Sequence, residues 1–192
     1  MTDLVKKLLQ ESCAVKQKVA NDEQMHALIQ KVMEISIDAL RNGNKLLLAG
    51  NGGSASDAQH IAAELVGRYE QDRPGLPALA LTTNSSQVTA IANDYGYDQL
   101  FQRQVQALAR PGDVFFGLST SGNSKNVIRA IEQCKQQQVI TVGMTGQSGG
   151  QMAALCDYCV RVPADNTARI QEVHITIGHI ICAGIEQALF SK

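Results

Sequence analysis

The sequence predicts a single α/β domain with a five-stranded parallel sheet and helices on both of its faces. Five short apolar runs follow Gly43, and they lack the polar alternation of half-exposed strands. Such runs are typical of strands buried on both faces, as in parallel sheets. Helical segments separate the runs, which favours right-handed βαβ crossovers. Because 192 residues suit one domain of ordinary size, we expect a single domain over residues 1–192.

Residues 1–42 are predicted to be a helical N-terminal extension. Apolar residues recur there at helical spacing from Leu4 onward, and Asn42-Gly43-Asn44 closes the segment, so two helices are expected. Helices in this position either cover the sheet or dock onto a neighbouring subunit, and the sequence leaves both open.

Strands are predicted at five places: Lys45–Ala49, Ala78–Leu81, Val114–Leu118, Val139–Met144 and Tyr158–Val162. A last helix, from about Ala168 to Leu189, is apolar on nearly every side and is expected to be buried. No apolar run approaches the roughly 20 residues that a membrane span needs. Ligands of such sheets bind beyond the carboxyl ends of the strands, so the loops after the first and third strands are the first candidates for a site.

Composition excludes several classes of partner. Lys plus Arg number 17 and Asp plus Glu 18, so the chain has no overall field for nucleic acid or anionic lipid. Five scattered cysteines and no basic-then-apolar leader at Met1 favour a reducing, cytoplasmic location. Cys156 and Cys159 form a CxxC without a second pair, which favours structural thiols over a zinc site.

The first candidate loop is the glycine turn from Gly50 to Ser56, which joins a strand to a helix that continues to about Gly67. Glycines allow close approach of the backbone to a ligand, and free amides at a helix start favour an anion. The turn is neither GxGxxG nor GxxxxGK[ST], which argues against a dinucleotide or a magnesium nucleotide. A simple helix-capping turn explains this loop equally well.

The second candidate loop, Ser119-Thr120-Ser121-Gly122-Asn123-Ser124, is rich in hydroxyl groups. One serine or threonine suffices to cap the helix that follows. The remaining hydroxyls are surplus donors, and with backbone amides they can surround a phosphate without any cation. Phosphate binding is therefore favoured over capping alone.

Ionisable side chains follow the first loop along its helix. At about 100° per residue, Asp57, His60, Glu64 and Arg68 share one stripe. An ordinary solvent-exposed face has the same pattern, but the preceding loop places this stripe near the expected phosphate. In the last helix, Gln171, Glu172, His174 and His179 interrupt an apolar surface, and burying them is costly unless they find partners.

These motifs together resemble the sugar isomerase (SIS) domain family. The resemblance rests on the hydroxyl-rich loop, on Gly50 to Ala55 and on Arg169-Ile170-Gln171-Glu172-Val173-His174, and it covers essentially the whole chain. It implies a flavodoxin-like sheet, a cytoplasmic homotetramer, and an aldose-ketose isomerase that converts sedoheptulose 7-phosphate to D-glycero-D-manno-heptose 7-phosphate for lipopolysaccharide heptose.

The resemblance also assigns residues. Glu64 and His179 match the catalytic pair of the family, and one zinc ion per subunit is expected on His60, Glu64, Gln171 and His179. The expected substrate contacts share a position on the turns or helix ends around the sheet. They are Asn51, Gly52, Gly53, Glu64, Asn93, Asp94, Ser119, Thr120, Ser121, Ser124 and Gln171. Asn93 and Asp94 by themselves indicate only the end of a helix.

One geometric difficulty concerns the expected zinc ligands. Gln171 and His179 lie about 12 Å apart along a straight helix and about 80° apart around it. Zinc bonds of roughly 2 Å fit such a span poorly. We therefore expect a pocket at a subunit boundary, with His179 or the His60–Glu64 helix supplied by a neighbouring chain.

Two alternatives remain open. One is a non-catalytic SIS protein that binds the bacterial replication initiator; as that relative lacks the carboxylate and the second histidine, Glu64 and His179 argue for catalysis. The other is an isomerase of arabinose 5-phosphate or hexosamine phosphate, although those proteins usually carry additional domains or different acid-base residues.

Overall fold

A computed structural model describes residues 2–190 and contains a five-stranded parallel sheet in the order β2-β1-β3-β4-β5. This order is the flavodoxin-like arrangement, and the predicted fold class is confirmed. The strands are β1 (Leu46–Gly50), β2 (Ala78–Ala80), β3 (Val114–Leu118), β4 (Ile140–Thr145) and β5 (Tyr158–Arg161). Each agrees with its predicted run to within about one residue at either end.

Helices surround the sheet. They are α1 (Thr2–Ala20), α2 (Glu23–Arg41), α3 (Gly53–Val66), α4 (Ser85–Tyr95), α5 (Leu100–Leu108), α6 (Lys125–Gln136), α7 (Met152–Leu155) and α8 (Thr167–Phe190). A short 3-10 turn, Tyr97–Gln99, leads into α5. The sequence had implied a helix ending at Asn93-Asp94, and both residues do lie in the last turn of α4.

The sheet divides the apolar core into two layers, as the side chains of β1 show. Leu46 and Leu48 belong to the layer that packs with α2, α3 and α8, while Leu47 and Ala49 belong to the layer that packs with α5 and α6. Successive side chains of a strand point to opposite faces, so one apolar run supplies both layers. The chain leaves β1 into α3 on one face of the sheet and leaves β3 into α6 on the other, so these neighbouring strands form a topological switch point.

The N-terminal helices differ in their burial. Helix α2 packs on the sheet and α8 through residues such as Ile29, Val32 and Leu40. Helix α1 lies further out, and the apolar side chains of Leu4, Val5, Leu8 and Leu9 are exposed on it. Asp22 separates the two helices and caps α2, since its carboxylate accepts a hydrogen bond from the Met25 amide at 3.0 Å.

Helix α8 is long and apolar enough to cross a membrane by length and composition alone, so the expectation that no apolar run nears that length was too strong. Its buried side chains, among them Ile170, Ile177 and Ile185, join the core layer with α2 and α3. The helix is buried on one side only, and Ile180 remains 44% exposed. This packing is that of a core helix.

The cysteines are all free, and they are less uniformly buried than expected. Cys134 and Cys182 are buried, Cys156 and Cys159 are partly buried, and Cys13 is exposed. Burial raises the pKa of the Cys156 thiol to about 12 and raises that of Cys159 as well. Both thiols therefore stay protonated at neutral pH, as structural thiols do.

Candidate active site

The two candidate loops are joined by a pair of side-chain amides. Asn51 Nδ2 donates to Asn126 Oδ1 at 2.9 Å, and Asn126 Nδ2 donates back to Asn51 Oδ1 at 2.8 Å. The Tyr97 hydroxyl also donates to Asn51 Oδ1 at 2.8 Å. This arrangement fixes the turn after β1 to the first turn of α6, so that the two loops lie beside each other.

Backbone conformation and close packing require glycine in the first loop. Gly52, the N-cap residue of α3, has a φ of 56°, in the region that favours glycine, and no side chain caps the helix there. A Cβ atom on Gly53 would lie 2.6 Å from Nε2 of Gln171. The Gln171 amide therefore lies directly against the start of α3, beside amides that favour an anion.

The hydroxyls of the second loop bond to one another and not to the helix that they precede. Ser119 Oγ lies 2.8 Å from Ser124 Oγ and 3.5 Å from Ser121 Oγ. Ser124 occupies the N-cap position of α6, yet its side chain makes no capping hydrogen bond. The alternative of pure capping is thus wrong for Ser124, whose hydroxyl bonds within the loop instead.

His60, Glu64 and His179 form a compact cluster within one chain. His60 Nε2 lies 3.1 Å from Glu64 Oε1 and 3.0 Å from His179 Nε2. One ligand atom from each residue lies within 4.8 Å of the other two. The side chains of His60 and Glu64 are 49% and 24% exposed, so the cluster opens to the surface.

The cluster has fewer hydrogen-bond donors than its acceptor atoms need. The Glu64 carboxylate and one of the two imidazole nitrogens must act as acceptors, so a single N–H between two neutral imidazoles has to serve two acceptors. A cation would satisfy all three lone pairs together. Two imidazoles and a carboxylate are ligands that zinc prefers, and the spacing of the three atoms suits bonds of about 2 Å. The donor set therefore fits a zinc ion.

The structure corrects the expectation about subunits. Because His60, Glu64 and His179 converge in one chain, the expectation that a neighbouring chain supplies His179 or the His60–Glu64 helix was wrong. The expected position of the pocket at a subunit boundary stays a prediction. The fourth expected ligand, Gln171, contacts Gly53 at the start of α3, while His60 follows about 10 Å further along the helix. The sequence had placed the whole ionisable stripe beside the phosphate loops, but only the beginning of α3 lies there.

Two further groups border the cluster. Burial raises the pKa of Asp57 to about 6, and the nearby charge of His60 opposes this rise; the buried Asp57 Oδ2 atom has no hydrogen-bond partner among the described residues. The Tyr69 ring lies 5.8 Å from the His179 ring, measured between centroids. Sequence reasoning had noted Asp57 but not Tyr69, which lies in a loop without periodicity.

The remaining predicted site residues are dispersed. Asn93 and Asp94 are exposed on α4, where Asn93 Nδ2 donates to Asp94 Oδ1 at 2.8 Å. Their mutual hydrogen bond does not join them to the loops or to the cluster. Asn126 and Tyr97, which hold Asn51, were not predicted from the sequence.

His174 serves the fold beneath this surface. It is fully buried, and its Nε2 atom donates to the Thr145 carbonyl at 3.2 Å, since a carbonyl can only accept. Burial lowers its pKa to about 4, although the hydrogen bond to Thr145 opposes this effect. His174 is therefore neutral at pH 7 and anchors α8 to the end of β4.

Comparison with known proteins fits this fold and these loops. The sequence pattern of the SIS domain matches residues 10–146, which is well over half of the chain. The chain therefore belongs to the SIS domain family.

Closer relatives refine this assignment. The chain is 58% identical to the phosphoheptose isomerase of Aneurinibacillus thermoaerophilus over 190 residues, which cover 99% of this chain and 96% of that protein. It is 58% identical to phosphoheptose isomerase 2 of Campylobacter jejuni over 182 residues, covering 95% and 90% of the two chains. The solved phosphoheptose isomerase of Neisseria gonorrhoeae superposes with a TM-score of 0.91 at 42% identity, covering 97% and 98%. Within the SIS domain family, the chain belongs to the phosphoheptose isomerases.

Proposed function

We propose that the protein interconverts sedoheptulose 7-phosphate and D-glycero-D-manno-heptose 7-phosphate, an aldose-ketose isomerisation that supplies lipopolysaccharide heptose. The observation that carries the proposal is the combination of a hydroxyl-rich turn without a capping role and a separate acid-base cluster. About 10 Å of α3 separates Gly53 from His60, a distance on the scale of a seven-carbon sugar phosphate. One site thus has a part for the phosphate and a part for the carbonyl end.

The phosphate end is held without a cation. The hydroxyls of Ser119, Thr120, Ser121 and Ser124 donate to phosphate oxygens, and the first-turn amides of α3 and α6 add favourable dipoles. Asn51, Gly52, Gly53 and Gln171 line the adjoining wall. Asn93 and Asp94 contact the sugar hydroxyls in this proposal, which for these two residues rests on the family alone.

The carbonyl end is handled by Glu64 and His179. The Glu64 carboxylate removes a proton from C1 of the ketose, which gives an enediol, and then returns a proton to C2 of the aldose. His179 moves the hydroxyl proton between the two oxygens, or opens the cyclic sugar. His60, Glu64 and His179 would hold a zinc ion, which would polarise the carbonyl. The assignment of Gln171 as a fourth ligand rests on the family alone, since its amide lies against Gly53.

Assembly as a homotetramer completes the site at a subunit boundary in this proposal. A base of this kind needs shelter from water, yet His60 and Glu64 are partly open in the single chain. Exposed apolar side chains flank them, with Val66 at 53% and Ile180 at 44% exposure. A neighbouring subunit that covers these side chains also closes the pocket. We place the enzyme in the cytoplasm, where its sugar phosphate substrate is made.

Direct turnover tests the proposal. Purified protein is incubated with sedoheptulose 7-phosphate, with and without Zn²⁺, and the aldose is followed by NMR. Appearance of the heptose phosphate is the expected result. Failure of turnover under both conditions, together with binding to a replication initiator, would instead support the non-catalytic alternative. Faster turnover of arabinose 5-phosphate or of a hexosamine phosphate would assign that sugar phosphate as the substrate instead.

A further inference from the structure

A buried ion pair lies just beyond the cluster and joins α3 to α8. Arg73 Nε donates to Glu186 Oε2 at 2.9 Å, and the two side chains are only 2% and 3% exposed. Glu186 lies seven residues after His179, so the two side chains fall on nearly the same face of α8, two turns apart.

The arginine caps the end of α3. Its Nη2 atom donates to the carbonyl of Glu64 at 2.9 Å, and its Nη1 atom donates to the carbonyl of Leu65 at 2.8 Å. The last carbonyls of a helix lack partners within the helix, and Arg73 satisfies two of them. One of these carbonyls belongs to Glu64 itself.

The carboxylate holds the loop that follows α3. Glu186 accepts hydrogen bonds from the amides of Tyr69 at 3.2 Å, Glu70 at 2.9 Å and Gln71 at 2.7 Å. Burial works to raise the pKa of Glu186, but these amides and Arg73 outweigh it, so the pKa is held below its ordinary value. The held loop carries Tyr69, whose ring packs on His179.

We propose that the Arg73–Glu186 pair is a positioning device that sets the spacing of the His60–Glu64–His179 cluster. It fixes Glu64 by its carbonyl, fixes Tyr69 by its amide, and ties both to the face of α8 that bears His179. A buried ion pair adds little net stability compared with apolar residues, because desolvation offsets the attraction between the charges. Its use here is to hold α3 and α8 in one relative position. The proposal builds on the metal site of the proposed function.

The chain offers a matched control in Asp113. This carboxylate is also buried, at 1% exposure of its side chain, and pairs with Lys45 Nζ at 2.6 Å. It accepts from the amides of Lys45 at 3.0 Å and Arg110 at 2.8 Å, and these partners lie in the turns that enter β1 and β3. The change Asp113→Asn thus repeats the chemistry of Glu186→Gln without touching α3, α8 or the loop between them.

The test compares Glu186→Gln with Asp113→Asn in the full-length protein. Zinc affinity is measured by competition with a chromophoric chelator, at a temperature where circular dichroism shows both variants folded. We expect Glu186→Gln to weaken zinc binding by about 10- to 100-fold, and Asp113→Asn to leave it within about two-fold of the wild type. Unchanged zinc affinity in folded Glu186→Gln, or an equal loss in both variants, would overturn the proposal.

A second readout keeps the test independent of zinc and of turnover. At one fixed pH, the imidazole resonances of His60 and His179 in zinc-free protein report the contact between the two rings. The proposal requires that Glu186→Gln shift both resonances and that Asp113→Asn leave them in place. If the wild type binds no zinc, the imidazole resonances alone test the positioning proposal. The result for the positioning proposal is then independent of the result for the proposed function.

Discussion

At the scale of single residues, the proposed chemistry depends most on the Glu64 carboxylate. Replacing it with the isosteric amide in Glu64→Gln removes the base but keeps the shape of the side chain. We expect turnover to fall at least about 100-fold, while binding of the phosphate-bearing ligand, measured by calorimetry, stays close to that of the wild type. The exposed Glu70 provides the control Glu70→Gln, which should retain turnover. Parallel loss of turnover and binding in Glu64→Gln would mean that Glu64 is structural.

His174 makes the stability of the fold dependent on pH. Its pKa is about 4 in the folded protein and 6.5 in an unfolded chain, so the unfolded state takes up a proton first as the pH falls. The stabilisation is complete above about pH 6.5 and is lost progressively down to about pH 4, by up to about 3 kcal/mol.

The measurement is urea unfolding at pH 7 and at pH 4.5. The loss of unfolding free energy between the two should be smaller in His174→Gln than in the wild type. The variant His26→Gln changes an exposed histidine and should keep the full loss. An identical pH dependence in His174→Gln and wild type would contradict the neutral, buried state of His174.

The sequence predicted some site residues better than others. The spacing of His60 and Glu64 on one helix is local, so it could be read directly, and the resemblance added His179. Asn51 and Asn126 are 75 positions apart, and their amide pair has no local signature. The wrong expectation that a neighbouring chain supplies one of these residues has the same cause. Helical spacing gives the distance between Gln171 and His179 along α8, but it does not give how closely α8 approaches α3.

At the scale of elements, the polar residues at the starts of two helices differ in whether they cap the helix. Asp22 caps α2 with its side chain, whereas Ser124 at the start of α6 does not cap. We expect Asp22→Ala to lower the unfolding free energy by about 1 kcal/mol and Ser124→Ala to lower it by less than about 0.5 kcal/mol. Only Ser124→Ala should weaken phosphate binding. If Ser124→Ala destabilises the protein as much as Asp22→Ala and leaves phosphate binding unchanged, Ser124 is a capping residue.

The elements that the sequence described least well are those between β2 and β3. Helix α4 has no buried residues, so apolar periodicity could not delimit it. Its ends do carry signals, since Asn84 accepts from the Gln87 amide and Gly96 adopts a φ of 87°. The strands were clearer because burial on both faces requires continuous apolar runs, as in Val114–Leu118.

At the scale of the whole molecule, the exposed apolar face of α1 bears on assembly. Leu4, Val5, Leu8 and Leu9 are between 42% and 61% exposed in the single chain. Burial of this face between subunits would stabilise a tetramer. If the proposed tetramer uses this face, Leu9→Glu should lower the mass measured by light scattering and reduce turnover, while Lys7→Glu on the same helix should leave the mass unchanged. A Leu9→Glu protein of unchanged mass would place the subunit contacts elsewhere.

The overall architecture was predictable because each βαβ unit is encoded locally and the handedness of its crossover is fixed. What the single sequence could not give is the relative placement of its loops. The distance between the phosphate turns and the acid-base cluster depends on how α3 and α8 lie across the sheet.

A crystal structure of the Glu64→Gln protein with bound sedoheptulose 7-phosphate measures that placement directly. We expect the phosphate oxygens to lie on the hydroxyls of Ser119, Ser121 and Ser124, with C1 and C2 within about 3.5 Å of the side chains at positions 64 and 179. A sugar whose phosphate occupies that turn while both carbons face away from residues 64 and 179 of every subunit would contradict it.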